Sequence, residues 1–231
     1  MRVVTTSSKQ GLEDYGYRWL ESRKNWPSAD QPLFIYYTEG FNVDCGATVE
    51  LATIPGFAEW KAKHRRYVPP SWQFDVVRYA NKVFAAYDAF RDYDGIGVWL
   101  DADCVTYKPI PEGLIERQLN GAYFAHYGRT GMYTETGVWI VDCSHSQHKA
   151  FFDFWRNVYL TERYKQLPQW HDCFTLDATI RVFSQLCKFE NLSGEHHKTM
   201  HPQALSELGK YIDHCKGSRK ATGKSPENTH R

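Results

Sequence analysis

The chain has 231 residues, with 28 Lys and Arg against 27 Asp and Glu and a formal net charge of +1, so no overall basic surface exists to hold a polyanion and any cationic site must be local. This length buries a sizeable core as one α/β domain. No apolar run is long enough to span a bilayer, "MRVVTTSSKQGLED" lacks the apolar stretch of a secretory signal, and the six cysteines form no C-x-x-C pair, so free thiols and a cytoplasmic setting are expected.

In chain order, "RVVTT" reads as a first strand, residues 12–24 as a helix with Tyr15, Trp19 and Leu20 partly on one side, and "LFIYY" as a second strand. Residues 41–73 are broken by Gly and Pro and suggest only a short helix in "FAEWKAKH". Residues 74–90 predict a helix because Val76, Ala80, Val83 and Tyr87 recur at the helical period. Asp75, Arg78 and Lys82 fall on the opposite face, which is ordinarily a solvated one. Residues 96–100 then read as a fully buried strand that stops at two carboxylates, Asp101 and Asp103, separated by Ala102. In α/β sheets ligands gather at the carboxyl ends of strands, so this D-x-D stands where a metal or phosphate site is normally built. Spacing alone is weak: "RDYDG" repeats it at Asp92 and Asp94 with no strand ahead, and reads as a surface turn.

Two further strands, "AYFAHY" and "GVWIVD", lead to an aromatic helix from about residue 147 to 159 and a second helix over 172–187 with Leu176, Ile180, Phe183 and Cys187 in phase. Strands and helices that alternate in this way predict an α/β fold with a mainly parallel central sheet, as one domain over 1–220. The polar "ATGKSPENTHR", residues 221–231, is expected to be a disordered tail.

Just before that tail, "HCKGSRK" fits the pattern H-x-x-G-x-x-K through His214, Gly217 and Lys220. With the D-x-D ahead of it, this segment resembles the metal-dependent glycosyltransferases of the GT-A fold, particularly glycosyltransferase family eight and its relatives. The resemblance implies one Rossmann-like domain that transfers a sugar from a nucleotide sugar, a UDP-hexose as the expected donor, to an acceptor hydroxyl. It implies Asp101, Asp103 and His214 as ligands of Mn²⁺ or Mg²⁺, with Ala102, Gly217 and Lys220 beside the donor diphosphate. In weaker form it covers most of residues 1–220: Thr5, Thr6 and Tyr15 would meet a uracil-type base, and Arg78, with Lys82 a weaker candidate, would approach the metal carboxylates or phosphates. "YTETGVWIVD" takes the place of the segment that faces the donor sugar, including Gly137. The family's Asn-x-Gly is Glu135-Thr136-Gly137 here, and its Pro-Trp after the Lys is Ala221-Thr222.

The chemistry suits these residue types independently of the resemblance. A departing nucleoside diphosphate gains negative charge, which a divalent cation and a lysine neutralise as it develops. Carboxylates suit Mg²⁺ or Mn²⁺, and an imidazole ligand tilts the choice toward Mn²⁺. His171 and Asp172 are catalytic candidates, and Asp172 would act as a base or as a stabiliser of a sugar cation, although it also reads as a simple helix N-cap. Glu135 competes for the role. Trp139 and Trp170 lie beside these segments as possible sugar platforms, whereas His201 and the His196-His197 pair read as loop residues.

Three rivals remain open. "DADCV" also fits the D-x-D-x-[TV] motif of haloacid dehalogenase-type phosphatases, though that reading leaves "HCKGSRK" unused. A nucleotidyltransferase would want a Gly-rich, Arg-containing loop that "TTSSKQGLED" does not supply. A non-catalytic sugar-nucleotide or glycan-binding protein is the third. Donor sugar, stereochemistry and acceptor, whether glycan, lipid, protein, small molecule or nucleic acid, stay open because acceptor pockets are built from variable loops.

Overall fold

A computed structural model describes residues 1–27 and 32–231. Strand β1 (Arg2–Thr6) is followed by a helical run made of α1 (Lys9–Gly11), a π-helical turn (Leu12–Gly16) and α2 (Tyr17–Ser22). Strands β2 (Leu33–Thr38) and β3 (Ala47–Glu50), helices α3 (Phe57–His64) and α4 (Val76–Phe90), and strands β4 (Ile96–Leu100) and β5 (Cys104–Thr106) come next. Then follow α5 (Leu114–Leu119), β6 (Phe124–Tyr127), β7 (Glu135–Asp142), α6 (His148–Leu160), α7 (Asp172–Phe183), β8 (Phe189–Asn191), β9 (Ile212–His214) and α8 (Arg219–Thr222).

Seven strands form the central sheet in the order β3-β2-β1-β4-β7-β6-β8, while β5 and β9 make a separate antiparallel pair. Four of the sheet's six pairings are parallel; β7 runs antiparallel to both β4 and β6. This is the expected α/β class with a mostly parallel sheet. β4 and β7 are buried almost throughout because they lie in the middle of the sheet and are covered on both faces. One face packs on Phe84 and Phe90 of α4, Phe152 and Trp155 of α6 and Leu176 of α7; the other packs on Trp19, Leu114 and Ile212. Val76, Ala80 and Val83 of α4 are buried as their period predicts, and the helix starts on the Asp75 side chain, which accepts from the Arg78 N–H at 3.3 Å. Helix α7 ends at Phe183, earlier than expected, with Cys187 still buried beyond it. Among the described residues no helix is long and apolar enough to cross a membrane.

The C-terminal residues depart from the expected disordered tail. The Ser225 hydroxyl donates to the His214 carbonyl at 3.1 Å, Asn228 donates to the Gly209 carbonyl at 2.9 Å, and the Arg231 guanidinium stands 3.1 Å from the buried Asp213 carboxylate. Polar composition hid this packing because hydrogen bonds to the backbone beside β9, not apolar burial, hold the segment.

Candidate functional site

The site forms where the C-terminal end of β4 lies beside the start of β7. Asp101 continues β4, and its N–H donates to the Gly137 carbonyl at 2.7 Å. The chain then turns into β5, which pairs with β9 so that Cys104 lies opposite His214, and the Cys215 N–H donates to the Asp103 carbonyl at 3.0 Å. This ribbon carries the tail motif onto the D-x-D. His214 Nε2 stands 3.3 Å from Asp103 Oδ1 and 3.8 Å from Asp101 Oδ2, while Nδ1 stands 2.8 Å from Glu135 Oε1. Lys220 Nζ stands 3.1 Å from Asp103 Oδ2 and 4.4 Å from the centre of the Tyr15 ring. Gly217 forms the left-handed turn between them, with φ of 65°.

Gly137 leaves the space that His214 fills: a Cβ there would meet three atoms of the imidazole at 2.1–2.6 Å. Its role is therefore close approach of β7 to the ring. Gly137→Ala is expected to cost about 1–3 kcal/mol through overpacking, read as a lower Tm. The same variant should weaken any ligand that needs His214 in register.

The polar side of α4 is not solvated throughout. Lys82 is largely but not fully buried, with Nζ 2.6 Å from Asp101 Oδ1 and 2.7 Å from Asp172 Oδ2, and it also donates to the Thr136 carbonyl and hydroxyl at 3.2 Å. Burial opposes its charge, but the two carboxylates outweigh that and raise its pKa. Arg78, one turn earlier, is exposed and makes no ion pair with these carboxylates among the described residues. The expected order of the two bases is thus reversed, because the fold brings the end of β4 beside the second of them. Asp101 is further fixed by the Trp99 indole N–H at 2.7 Å, and Asp172 by the Thr136 hydroxyl at 2.6 Å. Burial would raise the Asp172 pKa, yet Lys82 and Thr136 hold it below the usual range and keep the carboxylate ionised.

The N-cap of α7 is His171 rather than Asp172. Its Nδ1 accepts from the Phe174 N–H at 3.3 Å, which leaves Nε2 to donate to Gln169 Oε1 at 2.7 Å. Asp172 is the first helical residue, free of capping and turned to Lys82. Glu135 is buried beneath His214, not facing open space, and is also contacted by Lys216 Nζ at 3.1 Å and His201 Nδ1 at 3.2 Å. His201, expected in a loop without a role, also donates through Nε2 to the His214 carbonyl at 2.9 Å. Lys216 lies inside the H-x-x-G-x-x-K segment, at a position the motif leaves open, and no fixed spacing from the motif marks His201 or Glu135 as supports.

Of the expected base contacts, the Thr5 side chain is fully buried and the Thr6 hydroxyl donates to the Tyr37 carbonyl at 2.9 Å, so Tyr15 alone stands beside the site through Lys220. Ala102 is buried between the two aspartates. Trp139 is core, stacked on Trp99 at 5.8 Å, and offers no sugar platform, whereas Trp170 is half-buried against Phe74 and Tyr164.

The donor set fits a hard divalent cation. Two carboxylates offer oxygens, and Glu135 takes the Nδ1 side of His214, so the neutral tautomer presents the Nε2 lone pair toward them. Cys104 lies near Asp103 and His214, but burial and the adjacent carboxylates push its thiol pKa well up, which disfavours the thiolate that would bind metal. Without metal, the imidazole supplies positive charge itself: burial lowers its pKa, but Asp103 and Glu135 prevail and raise it to about 9. A folded-state pKa above the unfolded value, about 6.5, gives stability that is complete below that value and is lost as pH rises through the folded one. The metal-free protein should therefore melt at falling temperatures as pH rises from 6.5 to about 9, and His214→Gln should flatten that slope.

No family model and no curated protein matches the chain. Solved structures do. WbbM, a bifunctional glycosyltransferase, superposes with a TM-score of 0.54 at 10% identity over 84% of this chain and 39% of its own. An active-site mutant of LgtC, a galactosyltransferase, gives 0.52 at 13% identity over 77% of this chain and 69% of its own. Mouse xyloside xylosyltransferase 1 gives 0.50 at 9% identity over 80% and 82%. The sheet order, the covered β4 and β7 and these likenesses agree on one architecture: the chain has the GT-A fold of those glycosyltransferases.

Proposed function

We propose that this chain is a metal-dependent glycosyltransferase that moves a sugar from a nucleoside diphosphate sugar, a UDP-hexose, to an acceptor hydroxyl. The observation that carries the reading is the meeting of His214 with Asp101 and Asp103, while Lys220 of the same tail segment reaches Asp103. Residues more than a hundred positions apart in the chain meet there. In the reaction the acceptor oxygen bonds to the sugar's anomeric carbon, the bond from that carbon to the diphosphate breaks, and the hydroxyl proton passes to a base or solvent. A cation held by Asp101, Asp103 and His214 would neutralise charge on the departing diphosphate.

The chain's own residues then divide the work. Lys220 pairs with Asp103 in the absence of donor and offers the same ammonium to phosphate oxygens. Tyr15, beside it, offers a ring for the nucleotide. Glu135, Lys216 and His201 orient the imidazole. Asp172, held ionised by Lys82, is a weak proton acceptor and suits stabilisation of positive charge at the reacting sugar.

The phosphatase reading leaves the His214 and Lys220 contacts without a task. A panel of nucleotide sugars with Mn²⁺, followed by mass spectrometry of donor and product, tests the proposal. One donor should be consumed with release of its nucleoside diphosphate, and chelation should stop the reaction. Tight donor binding without turnover against any acceptor would support the binding-protein reading instead; phosphate release from a phosphomonoester would support the phosphatase.

A further inference from the structure

A cavity of about 610 Å³ opens on the far side of His171 from the cluster described above. Its wall is shared with that cluster at two points: the Tyr133 ring lies 4.4 Å from the His171 ring, and Arg129 Nη1 lies 4.0 Å from Glu135 Oε2. The size suits a sugar or short saccharide.

The hydrogen-bonding capacity left on the amide and guanidinium side chains of its lining is donor capacity. Gln169 uses its carbonyl oxygen on His171, so its amide N–H groups remain. Asn191 uses its oxygen twice, accepting from the Gly128 N–H at 2.9 Å and the Ser193 N–H at 3.0 Å, and it too keeps only donors. Arg129 spends Nε on the Tyr133 carbonyl and Nη1 on the Met200 carbonyl, each at 3.0 Å, with Nη2 uncommitted among the described residues. His197 engages Thr130 through Nδ1, and its Nε2 donates in the tautomer whose Nδ1 accepts the Thr130 hydroxyl hydrogen. Asp177 is the single carboxylate in the lining; Arg181 pairs with its Oδ2, and the Tyr133 hydroxyl is the other side-chain acceptor of note. A neutral sugar would bring hydroxyl hydrogens that find few acceptors there, whereas a carboxylate or phosphate is acceptor-only and forms stronger, charge-assisted bonds with such a wall.

We infer that this cavity binds a sugar bearing an anionic group, carboxylate or phosphate, as the acceptor of the transfer reaction. The word acceptor rests on the proposed function; the anion preference rests on the cavity alone. Glucose, glucuronate and glucose 6-phosphate, titrated into the protein and followed by NMR, provide the test. Both anionic sugars, or one of them, should bind roughly tenfold or more tightly than glucose, and the tighter of the two identifies the anionic group. Asn191→Asp keeps the oxygen that Gly128 and Ser193 need but removes the donors and adds a negative charge, so it should erase the anion preference. Gln169→Glu should act in the same direction. Equal affinity for glucose and the anions, no binding of any of the three, or an anion preference that survives both substitutions would overturn the inference. A parallel UDP titration with Mn²⁺ separates the two claims: UDP binding with no anion preference removes only this one, and anion preference without UDP binding keeps the site and removes its role in transfer.

Discussion

Lys82→Met is expected to lower stability by about 3–5 kcal/mol near neutral pH, because it leaves two buried or half-buried carboxylates, Asp101 and Asp172, facing each other without their shared cation. The methionine chain fills much of the aliphatic space, so the loss reports charge more than cavity. Its pH dependence identifies the cause. In the parent, the depressed Asp172 pKa gives stability that is present above the unfolded value, about 3.9, and is lost as pH falls through the folded pKa. In the variant the Asp172 carboxylate loses the charge that holds its pKa down, so the gap in Tm between the two proteins should narrow as pH falls toward about 4.5. Equal melting of parent and variant at neutral pH would mean that Lys82 does not bridge the two aspartates. Transfer should be lost along with stability, since Asp101 loses the partner that fixes it.

Asp172→Asn separates chemistry from structure more cleanly. Asp172 is not the cap of α7, so the substitution leaves the cap on His171, and an amide oxygen can still accept from Thr136 and Lys82. Stability should fall by roughly 1 kcal/mol, the scale of a weakened charge-assisted hydrogen bond. Transfer should fall by on the order of a hundredfold or more if the negative charge stabilises the reacting sugar. UDP affinity should hardly change, because the proposed function puts the diphosphate at Lys220, at the other end of the cluster. Glu135→Gln should show the opposite profile: it disturbs the tautomer of His214, and so weakens metal-dependent UDP binding first. A fully active Asp172→Asn protein would leave that carboxylate with a structural task only.

Much of this arrangement was legible in residue order. The apolar run of β4 with a D-x-D at its end, the periodic face of α4 and the H-x-x-G-x-x-K of the tail each point to the same end of an α/β sheet. Which base of α4 serves the site was not legible. Arg78 and Lys82 stack on one helical face about 6 Å apart along the axis, and only the docking of the helix against β4 decides between them. The surroundings of His214 were hidden for a related reason. Glu135 and His201 reach it from β7 and from a separate irregular segment, by contacts that no local period encodes. Glu135-Thr136-Gly137 read as a sugar-facing segment; instead the carboxylate points beneath the imidazole, and the glycine is needed because the ring rests on it.

The cluster's central claim is that Asp101, Asp103 and His214 together hold a divalent cation for a nucleoside diphosphate. Calorimetric titration of UDP with Mn²⁺, with EDTA, and with Mn²⁺ on His214→Gln tests it most directly. Binding at least roughly tenfold tighter with Mn²⁺ than with EDTA, and loss of that gain in the variant, is the result this site predicts. UDP affinity that is the same with metal, with chelator and in the variant would contradict it.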